Sequence, residues 1–227
     1  MEKGFLKDIF IDTFKNVINI FFTEPIFKCL GILIIIGLII KAFKPVIKGY
    51  IGEKTIDLIL NRQLKDCKIL KNIMIKTDTG SSQIDHIVIS KFGVFVLETK
   101  NYKGWIYGKE RDKKWTQNIY GKKFYFQNPL HQNYGHIERL KELKGLENIN
   151  FISLILFSGE STLKNNIDNV TYFSKAGDWI NKHKEKIYTD DEVDFIYNAI
   201  LENNLQGRKI KKEHIENIKA KKDRKKG

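Results

Sequence analysis

SQIDHIVISKFGVFVLETK, residues 82–100, decides the fold. Two runs rich in β-branched and apolar residues, 82–90 and 93–100, flank the turn Lys91-Phe92-Gly93, which is the pattern of a hairpin. Side chains alternate faces along a strand, so Val94, Val96, Glu98 and Lys100 share one face of the second strand, and Asp85 shares its face with Ile87 and Ile89. Charged groups therefore continue rows that begin apolar. Burying an unpaired charge costs roughly several kcal/mol, so groups placed this way pair with one another or hold a metal.

Both outcomes suit these residues. One is a plain ion pair of Glu98 or Asp85 with Lys100 at the solvated end of a sheet. The other is a site: hard divalent ions such as Mg²⁺ take oxygen ligands, often one or two carboxylates plus water and substrate phosphate, which Asp85 and Glu98 supply. An ammonium beside them, Lys100, stabilises developing negative charge or orients the attacking water. The apolar neighbours on the same faces favour the site.

Two further residues join this argument. Residues 50–64 read as a helix in which Glu53 falls on the same side as Ile56, Leu60 and Leu64, the polar member of a core-facing stripe. It either belongs to the site or interacts with the helix dipole, worth about 0.3–1 kcal/mol. Pro129 suits the first position of a helix running through Ile137, Leu140 and Leu143. Gln132 on that helix turns toward the metal site, toward DNA, or into water. His86 faces away from Asp85 by alternation, and His131 and His136 form no zinc pattern; all three are read as non-ligands.

These blocks together resemble the nuclease-related (NERD) domain family, a branch of the restriction-endonuclease-like superfamily with an Asp…Glu-x-Lys site. The matching residues are Gly52-Glu53, Gln83-Ile84-Asp85-His86, the run from Gly93 through Glu98-Thr99-Lys100 to Gly104, Trp115, and Asn128-Pro129-Leu130-His131-Gln132. They stand in the family's order and cover about half the chain. The resemblance implies that Asp85 and Glu98 are metal ligands for Mg²⁺ or Mn²⁺, that Lys100 is the catalytic lysine, that Glu53 is the superfamily's helix-borne acidic residue and that Gln132 is a site glutamine. It also implies DNA as the partner.

Around this core, residues 103–126 read as short strands with turns near 110–113 and 120–121, interleaving seven aromatic residues with seven lysines and arginines. Basic groups bind phosphate and aromatics stack on bases. The segment is also read as an amphipathic meander, and most of its aromatics are expected in the core, with the lysine excess leaving a positive rim beside the site. The continuous apolar run 151–158 reads as a strand covered on both faces, 170–173 as a shorter strand, and 176–183 and 190–203 as helices. The fold class expected is α/β, a restriction-endonuclease-like core with a central mixed sheet flanked by helices.

The formal net charge is +13, and much of it is concentrated in the tail 207–227. Such a block binds nucleic acid or anionic lipid without sequence preference, or is merely solvated. Cys29 and Cys67 make no disulfide framework and suit a reducing compartment. No ATP-binding motif is present. Residues 29–40 carry no charge, and 25–43 reaches spanning length if Lys28 and Lys41 snorkel, so a transmembrane helix is expected there. Lysines following it favour a cytoplasmic carboxy-terminal domain. The organisation expected is therefore an amphipathic interfacial helix (1–24), a single membrane span (25–43), a nuclease-like core (49–158), its α/β completion (159–206) and the basic tail. Three functions follow: a membrane-anchored metal-dependent deoxyribonuclease, a non-catalytic nucleic-acid-binding module of the same fold, or a membrane-associated scaffold.

Overall fold

The computed structural model describes residues 11–19 and 25–205, without the side chains of Lys28, Ala42, Glu53 and residues 44–50. The basic tail and most of the expected interfacial helix lie outside the described residues. Contacts divide the chain into two units, Met1–Lys48 and Gly49–Gly227. In the first, residues 11–19 are helical (α1) and Phe14 and Val17 are exposed.

The expected membrane span is not supported. Among the described residues no helix is long and apolar enough to cross a membrane. The chain forms one helix over Pro25–Gln63 (α2). Its charge-free stretch, 29–40, rises only ~18 Å at ~1.5 Å per residue, against a hydrocarbon core of ~30 Å.

The second unit is built on a five-stranded mixed sheet. Its strands are Cys67–Thr77 (β1), Gly80–Ser90 (β2), Gly93–Lys100 (β3), Phe151–Phe157 (β7) and Val170–Tyr172 (β9), in the order β1-β2-β3-β7-β9. The hairpin pairs β2 with β3 antiparallel, whereas β3–β7 and β7–β9 are parallel. One face is covered by helices Pro129–Lys141 (α3) and Asp190–Glu202 (α5): Ile137, Leu140, Val193, Ile196 and Ile200 pack against Ile87, Ile89, Val94 and Val96. The other face takes the carboxy-terminal half of α2 through Ile56, Leu60 and Leu64, and the short helix Ala176–Ile180 (α4) through Trp179, both against Val88, Phe95, Leu97 and Leu154. Strand β7 is apolar except for Ser153, because it is covered on both sides.

Strand β1 was not anticipated. Its alternation breaks at Lys71-Asn72, both exposed, where Asn72 takes φ of 52°; Ile73, Met74 and Ile75 are then all buried. Helix α4 stops at Ile180, short of the expected 183, and residues 173–175 form a 3₁₀ turn.

A second sheet has the order β6-β5-β4-β8, from Gly104–Tyr107 (β4), Lys114–Ile119 (β5), Lys122–Gln127 (β6) and Ser161–Leu163 (β8). The turn at Tyr120-Gly121 has positive φ at both residues, 49° and 83°, as a two-residue hairpin of matching twist requires. Ile106 and Trp115 pack onto Ile155 and Phe157 of β7. The expectation that most aromatics here are core is overturned: Trp105, Tyr107, Tyr120, Phe124 and Tyr125 are exposed, and only Trp115 is fully buried. A four-stranded sheet with a single covered face has too little interior to take them.

Candidate active site

The site forms where β2 and β3 leave their pairing. The last paired residues are His86 and Leu97, and Asp85 and Glu98 come next on their strands. The backbone N–H and the hydroxyl of Thr99 both donate to Asp85 Oδ2, at 2.8 and 2.7 Å, fixing that carboxylate against the end of β3. Lys100 Nζ donates to Glu98 Oε1 at 2.5 Å and to Gln132 Oε1 at 2.9 Å. Glu98 is 2% exposed, so its charge is buried and partnered.

Helix α3 reaches the site because its start is held. Asn128 caps it, accepting from the Leu130 N–H at 2.9 Å and donating to the carbonyls of Glu110 and Asp112. Pro129 occupies the first turn, where its missing N–H costs nothing. Asn133, fully buried, donates to Val96 O and Ser153 Oγ, both at 2.8 Å, and locks the helix to β3 and β7. Gln132 and His136 are four residues apart and therefore on one helix face. His136 Nε2 stands 3.2 Å from Glu98 Oε2, and its Nδ1 meets Ser82 Oγ.

Burial and the neighbouring Glu98 charge raise the Asp85 carboxyl above its ordinary range. Burial pushes Glu98 the same way, but the hydrogen bond from His136 and the charge of Lys100 outweigh it and leave Glu98 below its usual range. Lys100 is depressed by burial and lifted more strongly by Glu98, so it stays charged. Two carboxylates and one ammonium leave the cluster short of positive charge.

The structure thus brings Asp85, Glu98, Lys100 and Gln132 to one place. The side chain of Glu53 lies outside the described residues. Its neighbour Gly52 shows where this helical turn runs: a Cβ there would meet the Asn101 side chain at 2.8 Å, so α2 touches the residue just after Lys100. His86 bonds Asp57 of α2 at 2.7 Å, away from the cluster, and His131 is exposed on α3. His136 was read as a non-ligand, and it is a hydrogen-bond partner of Glu98 rather than an independent site. Its spacing of four from Gln132 was the available signal.

The model of the family described as nuclease-related domain matches residues 48–158. The chain is also 39% identical over 193 residues to an uncharacterized protein of Bacillus anthracis, covering 82% of this chain and 91% of that one. The chain belongs to the nuclease-related domain family. The family is a branch of the restriction-endonuclease-like superfamily, and the mixed sheet between helical layers, with its acidic cluster where the pairing of β2 and β3 ends, is the architecture of this nuclease-related domain.

Among the described residues no three His, Cys, Asp or Glu side chains group as a metal cage. A Mg²⁺-type ion does not require one, since it keeps several waters and binds one or two carboxylates with substrate phosphate. Asp85 and Glu98 offer oxygen donors alone, the donor type a hard dication takes.

Proposed function

We propose that the protein is a metal-dependent nuclease that hydrolyses DNA phosphodiester bonds at Asp85, Glu98 and Lys100, with Mg²⁺ or Mn²⁺ held by the two carboxylates. The observation that carries this reading is Lys100, a buried ammonium fixed between Glu98 and Gln132 beside a second, electrostatically strained carboxylate. A bound dication would supply charge to the scissile phosphate and lower the pKa of a water. Lys100 stabilises the negative charge that develops on the phosphate as water adds and the alcohol leaves. Gln132 holds Lys100 in line, His136 orients Glu98, and Thr99 orients Asp85. Glu53 is the proposed outer ligand or water-orienting carboxylate.

The test is incubation of the full chain with labelled linear, circular and branched DNA in Mg²⁺, Mn²⁺ or EDTA, beside Asp85→Ala and Lys100→Ala. Metal-dependent product, absent from both variants, is expected. A folded protein that yields no product with any of these overturns the proposal.

One observation favours a second reading. Both oxygens of Glu98 already have partners, Lys100 and His136, as in a closed structural network. A non-cleaving nucleic-acid-binding module would show DNA affinity that falls steeply with salt and survives Asp85→Ala.

A further inference from the structure

The outer face of the second sheet follows from its register. Trp105 pairs with Asn118, which pairs with Lys123; Tyr107 pairs with Thr116, which pairs with Tyr125. Paired residues share a face, and Ile106 and Trp115 point inward, so Trp105, Tyr107 and Tyr125 stand together on the outside. They are 50%, 38% and 68% exposed, and Tyr120 at the adjoining turn is 99% exposed. An outer sheet face ordinarily alternates to polar residues. This one carries flat aromatic rings.

Positive charge surrounds them. Residues 103–127 hold seven lysines and arginines against Glu110 and Asp112, and the Lys164 ammonium lies 4.8 Å from the centre of the Trp105 ring. An open cleft of about 640 Å³ runs along Trp105, Tyr120, Ile119 and Lys103 with Glu160 at its side. That volume lies in the ~300–1,000 Å³ range of small-ligand sites.

We infer that this face binds nucleic acid strands with unpaired bases, stacking bases on Trp105, Tyr120 and Tyr125 while the surrounding lysines meet the phosphates. Aromatic platforms inside a basic rim are how sequence-tolerant single-strand binding is built. A duplex keeps the faces of its bases stacked on one another and offers these rings nothing. The sheet also lies beside the candidate active site: its inner residues pack on Ile155 and Phe157, the register partners of Glu98 and Lys100. The inference takes its ligand class from the nuclease reading, yet it does not require cleavage.

The test uses the full chain in EDTA, where no metal-dependent cutting occurs, with short oligothymidine and oligouridine, an abasic strand of equal length, and a duplex. The protein has three tryptophans, and Trp115 and Trp179 are buried, so quenching of intrinsic fluorescence reports Trp105. The thymidine or uridine strand is expected to quench and to bind more tightly than either control. Trp105→Ala is expected to weaken that binding by about five- to hundredfold with an unchanged melting temperature, whereas Trp105→Phe retains most of it. Tyr120→Ala and Tyr125→Ala, also at exposed positions, act in the same direction. Equal affinity for the abasic strand, unaltered affinity in Trp105→Ala, or no binding of any strand overturns the inference. A protein that cuts duplex DNA but ignores bases loses the platform and keeps the nuclease; one that cuts nothing but prefers unpaired bases through Trp105 does the reverse.

Discussion

Replacing Lys100 by Met removes the positive member of a buried pair and keeps nearly the same side-chain length. The side chains of Glu98 and Lys100 are 3% and 14% exposed, so water cannot take over the role of the ammonium. Truncating one partner of a buried pair costs about 3–5 kcal/mol, because the other charge is left uncompensated. Here His136 continues to bond Glu98, which places the expectation toward the lower figure. For a domain of this size each kcal/mol shifts the melting temperature by about 2–4 °C, so Lys100→Met should melt roughly 6–20 °C lower at neutral pH. Thermal unfolding by circular dichroism is the assay, with Lys100→Met, Glu98→Gln and the double variant measured side by side. The double variant should melt above Lys100→Met alone, since the stranded charge is gone. The pH dependence has a definite sign. Glu98 lies below its ordinary value of 4.5 in the folded protein, so its ionisation stabilises above that value and the contribution is lost as pH falls through the folded pKa. Without Lys100 that folded pKa rises, and the deficit of Lys100→Met should shrink as acid protonates Glu98. A variant that melts within about 1 °C of the parent at every pH would refute the reasoning from burial and pairing.

Three further outcomes follow from the same geometry. Asp85→Asn should raise the melting temperature while abolishing cleavage: the Asp85 pKa is raised above 3.8, so its ionised form burdens the fold increasingly as pH climbs from that value through the folded pKa, and the gain should vanish in acid. Gly52→Val should lower nuclease activity more than it lowers stability, because the added carbons press on Asn101 next to Lys100; activity and melting temperature measured together check this. Saturating Mg²⁺ should raise the parent's melting temperature by an amount set by about 2.7 kcal/mol at a hundredfold excess over Kd, and chelation should reverse it. Asp85→Asn and Glu98→Gln should both lose that shift.

The parts of the fold legible in the sequence were those whose pattern is local. The hairpin at 82–100 follows from alternation around Lys91-Phe92-Gly93, and Pro129 marks the start of α3 directly. The stripe Ile56, Leu60, Leu64 is buried as its helical spacing requires. What was not legible depended on pairing between distant segments. Strand β1 is disguised by Asn72, whose positive φ interrupts the period of two, and its strand character comes from the β2 ladder. His136 gains its role only because Asn133 fixes α3 over β3, which no local pattern announces. The exposed aromatics of the second sheet depend on how few layers lie above them, a tertiary quantity. The apolar stretch 29–40 is too short a run to make a spanning helix, although its composition alone points to one.

The two carboxylates at the centre of the site are driven in opposite directions, and this separation is itself a functional clue. Asp85 and Glu98 occupy adjacent positions on paired strands, yet Glu98 has direct hydrogen bonds with Lys100 and His136, while among the described residues Asp85 is bonded by the Thr99 donors and feels the Lys100 charge only at a distance. One is a settled anion and the other an anion at a cost. A purely structural ion pair needs Glu98 and Lys100 but gives no reason to bury Asp85 beside them. The proposed dication would supply that reason, since it would return positive charge to the carboxylate whose ionised form burial and the Glu98 charge penalise. Metal affinity should therefore increase as pH rises through the Asp85 pKa, with protons released on binding, and Asp85→Asn should abolish that release. Isothermal titration in two buffers of different ionisation enthalpy measures it, and metal binding to the parent without proton release at low pH would show that Asp85 is not the ligand.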